Sequence, residues 1–194
     1  MRPTTRRSLF PLLLAGASAV AAVAFSLPPM TADAAAASLL GGTPAGKPGS
    51  VAPPFTGIDN WINSPPLKMD ELRGKVVLVD FWTYTCINCL NQLPFVKAWH
   101  EKYKDQGLVV VGVHSPEYEE ERSTAGLKEA IARLKIQHAV AQDNDFKTWK
   151  SYNNRYWPAL YLVDKQGKIV YSHFGEGAYQ QTEAKIQELL KQQG

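Results

Sequence analysis

Lys75-Val76-Val77-Leu78-Val79-Asp80-Phe81-Trp82-Thr83-Tyr84-Thr85-Cys86-Ile87-Asn88-Cys89 is the segment on which the reading of this chain turns. Its first half is a continuous apolar, β-branched run, the pattern of a strand buried on both faces. Beyond Cys86 the period changes: Leu93, Val96, Trp99 or His100, and Tyr103 recur at three- and four-residue spacing, which predicts a helix. Gly107 stops it, and Leu108-Val109-Val110-Val111-Gly112-Val113 is a second buried strand. Strand, helix and strand with short joints form a βαβ unit, so the two strands pair in parallel through a right-handed crossover.

Working towards the C-terminus, Ser123 or Thr124 can cap a helix that turns Leu127, Ile131 and Leu134 inward. A short strand over His138–Ala141 and a short helix over Phe146–Tyr152 follow. Ala159–Val163 and the stretch from Lys168 to Ser172 flank Asp164-Lys165-Gln166-Gly167, which reads as a hairpin turn. Thr182 then caps a last helix with Ile186, Leu189 and Leu190 inward. The order is βαβ, an inserted αβ element, then ββα, with helices on both faces of a mixed sheet.

Towards the N-terminus the composition changes twice. Arg2, Arg6 and Arg7 precede a mostly apolar run from Ser8 to Leu27, and Ala32-Asp33-Ala34 places small residues where a signal peptidase reads. Residues 1–34 are therefore expected to be a secretory signal. Thr5-Arg6-Arg7-Ser8-Leu9-Phe10 resembles the twin-arginine export motif, although no basic residue closes it. The competing reading is an uncleaved anchor, but the run is Ala- and Gly-rich rather than Leu-rich. No cysteine lies near the cleavage site, which excludes a lipid-anchored lipoprotein. Residues 35–52, rich in Ala, Gly and Pro, read as a flexible linker, and residues 53–194 as one domain.

The chain has 194 residues, 45% of them hydrophobic and 20% charged, enough for one domain with its own core. Of 21 basic and 18 acidic residues, three arginines and Asp33 leave with the signal, so the remaining chain carries 18 and 17, a net +1. A charge so close to zero gives no electrostatic case for nucleic acid or an anionic membrane.

Cys86 and Cys89 are the two cysteines of the whole sequence. A C-x-x-C at a strand-to-helix joint brings both sulfurs within bonding distance on the first helical turn. The unpaired N–H groups and positive dipole end of the helix favour thiolate over thiol at Cys86, the expected nucleophile. Cys89, one turn further in, is shielded and resolves the mixed disulfide. Other uses of the pair fit less well. Zinc needs about four ligands and no second pair supplies them, so no metal is expected. Leu90 rather than His follows Cys89, which rules out c-type haem attachment. A structural disulfide across so small a ring would constrain too little chain to stabilise it.

Val77-Leu78-Val79-Asp80-Phe81-Trp82, then Cys86-x-x-Cys89, with Pro94 further along the helix, resembles the core of the thioredoxin superfamily, in the flavour of exported TlpA-type and redoxin proteins. Trp82-Thr83-Tyr84-Thr85-Cys86-Ile87-Asn88-Cys89 is similar to the thioredoxin-like domain of membrane electron transporters of the DipZ kind. The resemblance implies a thioredoxin-like three-layer α/β/α sandwich. It implies a thiol-disulfide oxidoreductase without a cofactor, acting on protein thiols and disulfides. Asp80, six residues before Cys86, matches a buried carboxylate that takes the proton of the resolving thiol, which favours a reducing role. The alternative for Asp80 is a strand end turned to solvent. Trp157-Pro158 matches a cis-proline beside which a substrate strand pairs, and Glu176 lies in a loop near the sulfurs. Trp82 and Tyr84 flank the cysteine and are expected to shape the contact surface. Ile87-Asn88 departs from the Gly-Pro of true thioredoxins, which leaves the potential open.

An exported domain has no NADPH route of its own, so a membrane-embedded electron donor is expected, with the protein periplasmic and monomeric, and membrane-tethered if its signal stays uncleaved. A peroxiredoxin-like peroxidase using Cys86 is the second reading: Thr83 stands three residues before it, but Val79 occupies the motif's proline position. A third is a non-catalytic binding module. Trp61, Trp99 and Trp149 read as packing residues, and the scattered His100, His114, His138 and His173 as structural. Glu117, Glu119, Glu120 and Glu121 read as a solvated charge run.

Overall fold

The computed structural model describes residues 46–193. The expected signal peptide and most of the linker lie outside the described residues. Six strands form one mixed sheet: β1 (Asn60–Ile62), β2 (Val76–Trp82), β3 (Leu108–His114), β4 (Ala139–Gln142), β5 (Ala159–Val163) and β6 (Ile169–Phe174), in the order β1-β4-β3-β2-β5-β6. β2, β3 and β4 run parallel to one another; β1 pairs antiparallel with β4, β5 with β2, and β6 with β5. The helices are α1 (Ile87–Tyr103), α2 (Thr124–Leu134), α3 (Lys147–Ser151) and α4 (Tyr179–Lys191).

All seven residues of β2 are buried, so the central strand has helices or chain over both faces, as its unbroken apolar run predicts. Alternate residues part to opposite sides. Val76 and Leu78 meet Val96, Trp99 and Tyr103 of α1 and Ile186 and Leu189 of α4. Val77, Val79 and Phe81 meet Trp149 and Tyr152 of α3 and the segment around Ala52 and Met69. Trp82 and Val140 form a third cluster with Leu93 of α1 and Leu127 and Ile131 of α2. The result is the three-layer α/β/α sandwich with an inserted αβ element that the sequence implies.

Several expectations change. β1 was not anticipated: it is three residues long and flanked by Asn63, Ser64 and two prolines, too short for a period to show. Residues 49–52, read as linker, are instead tied to the start of β6, with Gly49 and Ala52 N–H groups donating to Ile169 and Gly167 carbonyls. α4 begins at Tyr179 rather than at Thr182, its cap being Ala178 in the left-handed region (φ 51°) without a side-chain bond. Thr182 is buried in the first turn, its hydroxyl 3.2 Å from that of Tyr171. Another, Glu121, belongs to the site below.

Gly112 of β3 lies opposite Asp80, and a Cβ there would stand 2.8 Å from Nε1 of Trp82 and 3.2 Å from Nε2 of His138. Only glycine lets the indole lie flat across the strand. On the opposite face Phe81 is fully buried, edge-on to Trp149, Tyr152 and Tyr161 at centroid distances of 5.6, 5.3 and 5.7 Å. Phe81→Ala should cost about 3–5 kcal/mol of unfolding free energy in urea titration, because this packed aromatic cluster cannot collapse into the space left behind.

Candidate functional site

Strand β2 ends at Trp82, Thr83-Tyr84-Thr85 turns the chain, and Cys86 is the N-cap of α1. Its sulfur accepts the Cys89 N–H at 3.3 Å, one of the groups a helix N-terminus leaves unpaired. Both cysteines are free thiols, Cys86 half-buried and Cys89 buried. Burial chiefly pushes the Cys89 thiol far up, and its hydrogen bond with Cys86 and the nearby Asp80 charge add to the effect. Shielding therefore separates the two sulfurs as the spacing predicts. Pro94 lies exposed within α1.

Asp80 is 3% exposed, which disposes of the solvent-facing alternative. It sits on the α1 side of β2, where Gln92, itself buried, donates Nε2–H to Oδ1 at 3.1 Å. Burial pushes the carboxyl up to about 7 against the opposing pull of that hydrogen bond. The Asp80 charge acts on the Cys89 thiol, so the acid and the shielded sulfur share one interior. Gln92 follows Cys89 by three residues, one helical turn, and so faces the same way. That spacing was the available signal for it.

The Trp157–Pro158 bond is cis. Pro158 is buried and Trp157 half-buried, its Nε1–H donating to Ser115 O at 2.9 Å and its ring 4.2 Å from that of Trp149. The Pro158 carbonyl accepts the Gly175 N–H at 2.8 Å, and the next residue, Glu176, is exposed and accepts from Asn91 of α1 (3.1 Å) and from the Tyr179 hydroxyl (3.2 Å). Glu176 thus closes the loop onto the helix that carries the cysteines. Ile87, Tyr156 and Phe174 are exposed apolar side chains on these same segments, with Tyr156 and Phe174 rings 5.9 Å apart.

Trp82 does not belong to a contact surface: it is 2% exposed and lies edge-on to His114 at 5.6 Å. Tyr84 is half-exposed and stacks flat on the same histidine, at 5.4 Å and 11°. His114, at the end of β3, is fully buried, and its Nε2 lies 3.2 Å from Thr83 Oγ1. Burial lowers its imidazole to about 4, so it is neutral at physiological pH. Glu121 is not a solvated charge. It is 1% exposed and folds back on the turn before Cys86, because the 3-10 turn at Glu119–Arg122 points one of its glutamates inward. Among the described residues no cluster of three metal-ligating side chains occurs, and no helix is long and apolar enough to cross a membrane.

Comparison with known proteins agrees with this geometry. Residues 48–172 match the AhpC/TSA family. The chain is 47% identical over 142 residues to protein DipZ of Mycobacterium bovis, covering 72% of this chain and 20% of that protein. It is 30% identical over 138 residues to the thiol-disulfide oxidoreductase YkuV of Bacillus subtilis, covering 71% and 93%. The fold of a thiol-disulfide isomerase from Corynebacterium glutamicum superposes with a TM-score of 0.66 at 27% identity, over 73% of this chain and 97% of that one. The chain spans only a fifth of the DipZ protein, and nearly the whole of YkuV. With a paired dithiol at a helix N-terminus and these relatives, the chain belongs to the AhpC/TSA family of thioredoxin-like proteins.

Proposed function

We propose that this protein is an exported, periplasmic reductant of protein disulfides in which Cys86 attacks, Cys89 resolves and Asp80 carries the proton. The observation that carries the reading is the buried Asp80 carboxyl, poised near neutrality beside the shielded Cys89 thiol. The Cys86 thiolate attacks one sulfur of a substrate disulfide, forming a mixed disulfide and expelling the first substrate thiolate. Asp80 then takes the Cys89 proton. The Cys89 thiolate attacks Cys86 Sγ, which releases the second substrate thiolate and leaves a Cys86–Cys89 disulfide with a protonated Asp80. Two electrons have passed to the substrate. A membrane-embedded donor returns them.

Protein substrates suit a surface on which Ile87, Tyr156 and Phe174 are exposed, with Tyr84 and Trp157 packed on the cluster that holds Cys89 and the exposed Glu176 bonded to Asn91 of α1. The basic and apolar N-terminal stretch supports the location. The peroxidase reading finds less support, because the buried Thr83 hydroxyl, which that chemistry would turn towards peroxide, faces His114.

Three experiments test the proposal. Cys89→Ser should accumulate mixed disulfides through Cys86 in a non-reducing gel, whereas Cys86→Ser should trap none; trapping by Cys86→Ser would reverse the assignment. Asp80→Asn should slow insulin reduction by about tenfold or more at neutral pH. It should also change the pH dependence of stability in a direction fixed by linkage. The folded Asp80 holds its proton up to about 7, against 3.8 for an unperturbed carboxyl. Between those values the folded state binds more protons than the unfolded one, so wild-type stability falls as pH rises and levels off above pH 7. Asp80→Asn should therefore gain on the wild type across that interval in thermal melts. A constant difference at every pH would mean that Asp80 titrates normally. Finally, Arg6→Lys with Arg7→Lys should leave precursor in the cytoplasm, and normal processing would point to the general secretory route.

A further inference from the structure

The turn Thr83-Tyr84-Thr85 that presents Cys86 is gripped almost entirely from the end of β3 and the start of the inserted element. Ser115 N–H donates to Trp82 O at 3.1 Å, Thr83 Oγ1 meets His114 Nε2, Tyr84 stacks on His114, and the Tyr84 hydroxyl donates to Glu120 O at 3.2 Å. The firmest hold is Glu121. Its Oε1 accepts both the Thr85 N–H at 3.3 Å and the Thr85 hydroxyl at 2.5 Å, while Oε2 accepts the N–H groups of Glu117 at 2.6 Å and Tyr118 at 3.1 Å.

Four donors converge on one buried side chain. Only a carboxylate, with two acceptor oxygens and no proton of its own, can satisfy all of them. Burial alone would push this carboxyl up; the Thr83 and Thr85 hydroxyls and the Tyr118 and Glu117 N–H groups outweigh it and hold it below the usual range. Glu121 is therefore a fixed negative charge bonded to the residue before Cys86. Among the described residues no cation forms an ion pair with it. Arg122, its neighbour, pairs with Glu119 at 2.9 Å and donates to Asn144 O, and His114 is neutral.

We propose that Glu121 is a positioning residue for the dithiol: it fixes the turn that presents Cys86, and its charge biases the Cys86–Cys89 pair towards the disulfide, making the protein a stronger reductant. The argument is electrostatic. A negative charge bonded to Thr85, the residue before Cys86, opposes a thiolate there but not a neutral disulfide, so it destabilises the reduced state relative to the oxidised one. It works with the buried Asp80 and Cys89, whose desolvation likewise disfavours charge in the reduced site. Glu121 touches no reacting atom, and its effect passes through Thr85. The inference rests on the reading that Cys86 and Cys89 are the exchanging pair.

The test is equilibration of the full chain with glutathione at pH 7, where the protein dithiol and one oxidised glutathione exchange for the protein disulfide and two reduced glutathiones. Glu121→Gln should move this equilibrium towards the protein dithiol by about fivefold, the size of a unit-charge interaction strongly screened by water. Thr85→Val deletes the hydroxyl donor but leaves the charge. It should lower the melting temperature while the glutathione equilibrium stays within about twofold of wild type, since no charge has moved. Equal equilibria for wild type and Glu121→Gln would overturn the inference, as would a shift for Thr85→Val as large as that for Glu121→Gln. Should Glu121→Gln not fold, Glu121→Asp withdraws the charge by one methylene and should shift the equilibrium in the same direction by about twofold; no shift would overturn the inference equally. Failure of the wild type to form any Cys86–Cys89 disulfide is a separate outcome, and it would sink the underlying reading instead.

Discussion

A carboxyl group denied water is the constraint around which this site is organised. Asp80 lies in a strand whose every residue is buried, with α1 packed over it and a single donor, Gln92, within reach. One hydrogen bond does not replace hydration, so the interior favours the protonated acid. The same burial favours the neutral thiol at Cys89, which must nevertheless lose a proton to react. A carboxylate made more basic by burial is suited to take the proton that the shielded thiol gives up only reluctantly. The half-buried Cys86 at the helix cap has access to both solvent and partner.

Rigid supports keep these groups in register. β2 is paired on both sides, with β3 in parallel and β5 antiparallel, which fixes Asp80 opposite Gly112 on one side and Leu160 on the other. The absence of a side chain at Gly112 makes room for Trp82, which closes the space below the active turn. The Pro158 carbonyl and the Gly175 N–H join the β5 side to the loop carrying Glu176, and Glu176 joins that loop to α1. The inserted element after Ser115 contributes more than bulk: its first turn supplies the carboxylate that holds Thr85. Breaking one member of such a network leaves other buried polar groups unpaired, which costs more than the single bond lost.

Much of this was legible in the sequence wherever the signal was local. A β-branched run, a C-x-x-C and a helical period in immediate succession define the joint and both sulfurs, and Asp80 follows from its place in the run. A glutamate run carries no mark of which member a tight turn will point inward; for Glu121 that depends on donors at Thr85, thirty-six positions away in sequence. Trp82 was placed at the surface because its neighbours are chemical, whereas the glycine that buries it lies on another strand. The start of α4 escaped because Ala178 turns the chain through its backbone alone, with no polar side chain to announce the cap. In each case a long-range contact decided the outcome.

The central claim is that Asp80 exchanges a proton with Cys89 near neutral pH. Its most direct test is titration of the Asp80 carboxyl itself, by carbon-13 NMR of the reduced protein with selectively labelled aspartate. The account predicts a carboxyl that titrates near 7, far above its ordinary 3.8. It also predicts that replacing Cys89 by serine shifts this titration, because the two sites share one proton economy. An Asp80 carboxyl already ionised at pH 5, or one indifferent to the loss of Cys89, would contradict it.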